Sequence, residues 1–233
     1  MIREISLYSL NSKYSYIHPV EKIGLVLVSL ISCSYTENIY IILGNIVFFI
    51  ILNIKAKNPF NMIKKFICIT GAFFIFTAVT LLWQGNSVEY IVLLLLRILN
   101  GSLTIAFLSL TTPINHLVYL MSKFEYLRDV GDIIKVMERF ISVIEDDFVT
   151  TFKAMKSRAG FCGFKNSIID FGKVCGITFK NLIFRWREIN LSLKNRCYVG
   201  KHNYNYSFKL SKVRVTFVIF YLFTVILMNY IMI

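Results

Sequence analysis

Acidic residues are scarce in this sequence. Thirteen Asp and Glu stand against 26 Lys and Arg in 233 positions, and charged residues together make up only 17%. A soluble domain usually has about a quarter of its residues charged and roughly half apolar. Here 56% are hydrophobic, with 21 Phe and 13 Tyr, so too few charges remain to cover an ordinary globular surface. The same apolar and aromatic load excludes a disordered chain. The composition indicates a polytopic membrane protein.

Paired redox and ligand motifs are missing too. Cys33, Cys68, Cys162, Cys175 and Cys197 form no CxxC pair, and the first two fall inside apolar runs. They read as reduced thiols and small buried hydrophobes. His18, His116 and His202 lie far apart with no second ligand at metal spacing, so neither a metal centre nor a cofactor is expected. Glu145-Asp146-Asp147 is the one acidic cluster. Successive helical residues point about 100° apart, so its three carboxylates do not converge on one ion. There is no GxxxxGK[ST] loop, and nucleotide phosphates are not held by that route. Met1-Ile2-Arg3-Glu4-Ile5-Ser6 leads into Asn11-Ser12-Lys13 without an apolar core or cleavage site, so no signal peptide is expected.

What the sequence does have is a succession of apolar runs: Ile23–Tyr35, Ile39–Ile54, Phe66–Trp83, Val88–Leu110 and Val215–Ile233. A bilayer core takes about 20 helical residues. The last three runs are long enough. The first two are short and read as tilted partners in a hairpin, with Tyr35 and Tyr40 at the interface. Loop charge alternates. Arg3, Lys13 and Lys22 precede the first run, and only Glu37 follows it; the next loop carries Lys55, Lys57, Lys64 and Lys65, and Gln84–Ser87 carries none. By the positive-inside rule the N-terminus is cytoplasmic. A formal charge of +13 could also indicate a nucleic-acid partner, but charge placed in alternate loops argues for the lipid bilayer and against nucleic acid.

Between Thr111 and Arg214 the character changes, with 18 of the 26 basic and 9 of the 13 acidic residues. The expected fold is therefore all-α: a membrane domain of four transmembrane helices over 1–111, cytoplasmic coupling helices over 112–213, and a fifth transmembrane helix over 214–233. Asp132 is a candidate N-cap for a helix running to about Arg158. Ile133, Met137, Ile141, Ile144, Phe148, Phe152 and Met155 form an apolar stripe along it, and Gly160 is its natural stop. A second helix is predicted over about Asn166–Arg196. Whether its apolar middle, 174–184, enters the bilayer stays open, because Lys173, Lys180, Arg185 and Arg187 oppose a full span.

The segments ending these two helices match. Ala154-Met155-Lys156-Ser157-Arg158-Ala159 and Ser192-Leu193-Lys194-Asn195-Arg196-Cys197 share the order small, large apolar, Lys, small polar, Arg, small. A helix C-terminus favours the cation. Small neighbours would let a guanidinium enter a partner's groove and grip a carboxylate with both arms. At these residues the chain resembles the transmembrane T component of energy-coupling factor transporters, typified by the cobalt-transport Q subunit. That family has two Ala-Arg-Gly-like motifs at the ends of two long coupling helices, where Ser157-Arg158-Ala159 and Asn195-Arg196-Cys197 stand. His18-Pro19, Thr111-Thr112-Pro113, Glu145 and Tyr198-Val199-Gly200 also match in order. Neither triplet is Ala-Arg-Gly, so the central Arg and its flanks alone carry over.

The resemblance implies a non-catalytic membrane subunit of an ATP-driven importer. Two ATP-binding cassette ATPases would bind the coupling helices, each Arg docked in one ATPase, and motion would pass to a separate substrate-binding membrane (S) subunit taking up a vitamin or a transition-metal ion such as cobalt. A membrane-embedded lipid-modifying enzyme and a cationic membrane scaffold are the alternatives. Arg97 is a possible intramembrane functional residue. Otherwise it pairs with Glu89 or reaches a polar pocket formed by Asn100 and Ser102.

Overall fold

The computed structural model describes residues 2–36, 38–85, 87–197, 208 and 211–231. Among them are nine helices and no strand: α1 (Ile2–Asn11), α2 (Pro19–Tyr35), α3 (Ile39–Lys55), α4 (Phe60–Trp83), α5 (Val88–Thr111), α6 (Ile114–Ser122), α7 (Glu125–Ser157), α8 (Phe164–Asn195) and α9 (Lys212–Ile231). The protein is an all-α membrane protein. Five of these helices follow the five apolar runs, α9 as far as Ile231. α4 and α5 have the length and apolarity to cross a membrane by themselves, and α3 is a shorter apolar helix. Tyr198-Val199-Gly200 and His202 lie outside the described residues.

The chain divides into two compact units. One is Met1–Leu120 with Tyr206–Ile233; the other is Met121–Asn205. In the first, α2 begins at Pro19, four residues before its apolar run. His18 Nδ1 accepts from the Val20 N–H at 3.2 Å, and proline at the first helical position needs no N–H partner. The longer helix carries Glu21 and Lys22 into the packed interior. Leu25, Val26, Phe49, Leu103, Phe107 and Leu110 form the core where α2, α3 and α5 meet. α4 packs on α5 but keeps its apolar window unburied within the chain, the surface a bilayer covers.

Polar groups close the ends of these helices. Lys22 Nζ donates to the Thr111 carbonyl at 2.7 Å, at the C-terminus of α5. Arg97 Nη2 donates to the Thr36 carbonyl at 2.8 Å, at the C-cap of α2. In each helix fourteen positions separate the cation from the carbonyl that the other helix caps. The antiparallel pair thus exchanges a cation for a carbonyl terminus at both ends, as the helix dipole favours. Glu21 accepts from the Ser211 N–H and from Arg214 Nε at 2.7 Å, tying the start of α9 to α2. Phe208 lies against His18, His116 and Tyr119, so the segments next to both boundaries of this unit are held together.

In the second unit, α8 buries Val174 and Thr178. Phe148 meets Phe171, Phe140 meets Trp186, and Asp147 takes both arms of Arg185 at 2.9 and 3.0 Å. α8 is one continuous helix through 174–184, with Phe179 and Phe184 exposed. Asp132 is not an N-cap. α7 starts seven residues earlier, where Glu125 complements the positive end of the dipole, and Asp132 is buried inside the helix. A short carboxylate suits a cap but does not require one. Cys33 is the one buried cysteine; Cys68, Cys162, Cys175 and Cys197 are exposed, which corrects the expectation of burial. Cys68 sits on α4, whose apolar window is unburied within the chain.

Candidate functional site

Arg158 and Arg196 occupy the same position in the same local structure. Arg158 is the C-cap of α7, with φ −96° and ψ 30°; Arg196 is the C-cap of α8, with φ −94° and ψ 13°. The next residue is left-handed in both cases, Ala159 at φ 57° and Cys197 at φ 54°. The resemblance between the two segments is therefore conformational as well as compositional. Left-handed backbone costs a residue with a Cβ about 1–2 kcal/mol. At both positions the sequence places a small residue where glycine would be unstrained. Ala159→Gly and Cys197→Gly should each raise thermal stability, by up to ~1 kcal/mol after the entropy glycine adds to the unfolded chain.

Gly160 serves differently from the stop predicted for it. Its N–H donates to the Met155 carbonyl at 3.1 Å, closing the last turn, and a Cβ built on it would stand 2.7 Å from that oxygen. Glycine is needed there for close approach; Ala159 makes the reversal. Among the described residues neither Arg158 nor Arg196 has a side-chain hydrogen bond or ion pair, and both are exposed. Ser157, Asn195 and Cys197 are exposed beside them. Two free guanidinium forks on rigid helix ends can each grip a carboxylate. α8 spans 32 residues, about 48 Å of helix at ~1.5 Å per residue, so the two forks do not share one groove.

The loop between α7 and α8 is tightly built. The Phe161 N–H donates to Asp170 Oδ2 at 3.1 Å, the Ser167 hydroxyl is shared between the Gly163 carbonyl at 2.8 Å and the Phe161 carbonyl at 3.1 Å, and the Phe161 ring lies 4.7 Å from Phe152. Lys173 at 2.9 Å and the Phe161 N–H hold the Asp170 carboxyl below its usual range. The support this bond gives is present at neutral pH and is lost as pH falls through the depressed value. Sequence reading missed Asp170 because nothing local marks it; the loop's fold brings it to Phe161.

Along the stripe of α7, Ile133, Met137 and Ile141 are exposed while Ile144, Phe148 and Phe152 are half-buried. Ile133, Met137 and Ile144, with Val136, Phe140 and Trp186, line an open apolar groove of about 680 Å³. Glu145, Asp146 and Asp147 do not form a metal cluster, and Asp147 is engaged by Arg185. Arg97 is partnered neither by Glu89, which is exposed, nor by Asn100 and Ser102, whose polar side-chain atoms are buried without partners. Its partner is the carbonyl terminus of α2, which draws the cation as a carboxylate would.

Comparison with known proteins places these features in a family. The cobalt transport protein family, CbiQ, matches residues 17–206. An uncharacterized protein of Methanocaldococcus jannaschii is 25% identical over 217 residues, 82% of this chain and 79% of its own length. A protein of Methanocorpusculum labreanum, provisionally named fused cobalt transport protein CbiMQ, is 29% identical over 115 residues. That match covers 49% of this chain and 19% of the fused protein.

Proposed function

This chain belongs to the cobalt transport protein family, and from that premise we propose that it is the coupling (T) component of an energy-coupling factor importer. It is a membrane component of a transport system, with no chemistry of its own assigned to it. Two ATP-binding cassette ATPases engage Arg158 and Arg196, one each, through a carboxylate in a surface groove. Closure of the ATPases displaces α7 and α8, and the movement passes to a separate membrane subunit that holds the substrate, a cobalt-type transition-metal ion or a vitamin.

One observation carries this reading: two arginines without a side-chain partner among the described residues, each the C-cap of a long helix, each followed by a left-handed small residue. A cationic scaffold needs no such repeat, because a diffuse attraction to anionic lipid is indifferent to side-chain direction. A lipid-modifying enzyme needs converging acid–base groups, and the acidic cluster does not converge. The membrane domain crosses the bilayer with the N-terminus inside. Lys57–Lys65 and Glu125–Lys165 face the cytoplasm, and Gln84–Ser87 faces outward.

The test is assembly. Co-expressed with the ATPases of its transporter, the full chain should purify in detergent with two nucleotide-binding subunits. Single cysteines in a background without the four exposed native ones should label from inside at 57–65 and 125–165, and from outside at 84–87. Purification alone at full stability, with no ATPase recovered from native membrane, would remove the basis of the proposal.

A further inference from the structure

Three of the six residues from Arg158 to Gly163 have positive φ: Ala159 at 57°, Phe161 at 64° and Gly163 at 82°. Glycine takes that conformation freely, whereas a phenylalanine keeps it only where its surroundings over-determine it. Phe161 is held by Asp170 at its N–H and by the Phe152 ring, and more weakly at its carbonyl by Ser167, whose hydroxyl is shared with the Gly163 carbonyl. Asp170 is itself held, its other oxygen taken by Lys173 and its side chain only 15% exposed. Arg158 lies three residues before Phe161 and has no side-chain partner of its own among the described residues. The point from which its side chain leaves the backbone is set by the last turn of α7 on one side and by the Phe161 anchor on the other.

We propose that Asp170 is a positioning residue for Arg158: by fixing Phe161 against Phe152 it fixes the course of the loop, and so the place from which the Arg158 side chain reaches a partner's carboxylate. A bidentate contact needs its root in register with the partner's carboxylate, so a loop ordered beforehand loses less entropy on binding than a loose one. Asp170 touches no partner itself. The inference rests on the reading of Arg158 as an ATPase anchor.

The experiment uses the full chain and its two ATPases in detergent, with ATPase association measured by titration and Phe161 amide exchange followed as a direct report on the anchor. Asp170→Ala should speed exchange at Phe161 and weaken association about three- to tenfold, the size of one lost hydrogen bond. Asp170→Asn keeps an acceptor oxygen and should retain most of the affinity. Ser167→Ala removes a second hold and should act in the same direction, more weakly; it serves should Asp170→Ala not fold. In an Arg158→Ala background, Asp170→Ala should cost nothing further. A merely structural residue would show the same loss in both backgrounds, and that result would overturn the assignment. Faster exchange at Phe161 with unchanged association would overturn it too. If Arg158→Ala alone leaves association unchanged, the anchor reading falls and takes this inference with it.

Discussion

Arg158→Ala and Arg196→Ala should each weaken ATPase association by ~30-fold to several thousand-fold, the equivalent of about 2–5 kcal/mol, and the double variant should be worst. Most of that cost arises on the partner, where removal of a guanidinium leaves a carboxylate buried and unpaired. A solvent-exposed pair would contribute only ~0–1 kcal/mol. The unbound chain should be little affected, because both side chains are exposed and make no hydrogen bond or ion pair among the described residues. Arg→Lys at either site should rescue in part, since an ammonium brings the charge without the planar fork. Lys156→Ala and Lys194→Ala are the matched controls, two residues upstream on the same helix ends, and should do little. Substrate uptake and co-purification on this set decide the matter. If the lysine and arginine substitutions behaved alike, both arginines would be ordinary surface cations and the coupling role would be wrong.

Arg214→Leu should be the most damaging single change in the membrane unit, lowering stability in detergent by about 3–5 kcal/mol. The Glu21 side chain is 4% exposed, while Arg214 is 43% exposed. Removal of Arg214 leaves a buried carboxylate without its counter-charge, with the Ser211 N–H still bonded to it. Removal of the charge on Glu21 leaves a cation that water can reach. Glu21→Gln should accordingly cost only about 1 kcal/mol, because its amide oxygen still accepts a hydrogen bond. Thermal unfolding of the purified variants measures the asymmetry. Equal losses would mean that burial of Glu21 does not govern the pair. The position of this pair raises its interest, since Ser211 and Arg214 stand where the chain re-enters the membrane unit after α8.

The sequence by itself determined the helices and their class. Apolar runs at bilayer length, scarce acids and basic residues concentrated, Arg97 apart, outside the apolar runs leave few other solutions, because a backbone in lipid must bond within itself. It also singled out Arg158 and Arg196, since two six-residue segments in the same order are visible without coordinates. Only the tertiary structure decided where α7 begins, what Arg97 binds and how the arginines are held. Asp132 carries the residue type of a cap, yet its helix started earlier, and capping preference is a tendency that a longer favourable helix overrides. Arg97 looked toward Glu89 because sequence reading pairs cations with carboxylates. Its partner is a backbone carbonyl 61 positions away, and every residue has one. Asp170 and Phe161 were invisible for a related reason. The hydrogen bond between them exists only because two left-handed residues turn the loop back on α8, and positive φ at an alanine and a phenylalanine is imposed by the surrounding contacts rather than by the residues themselves.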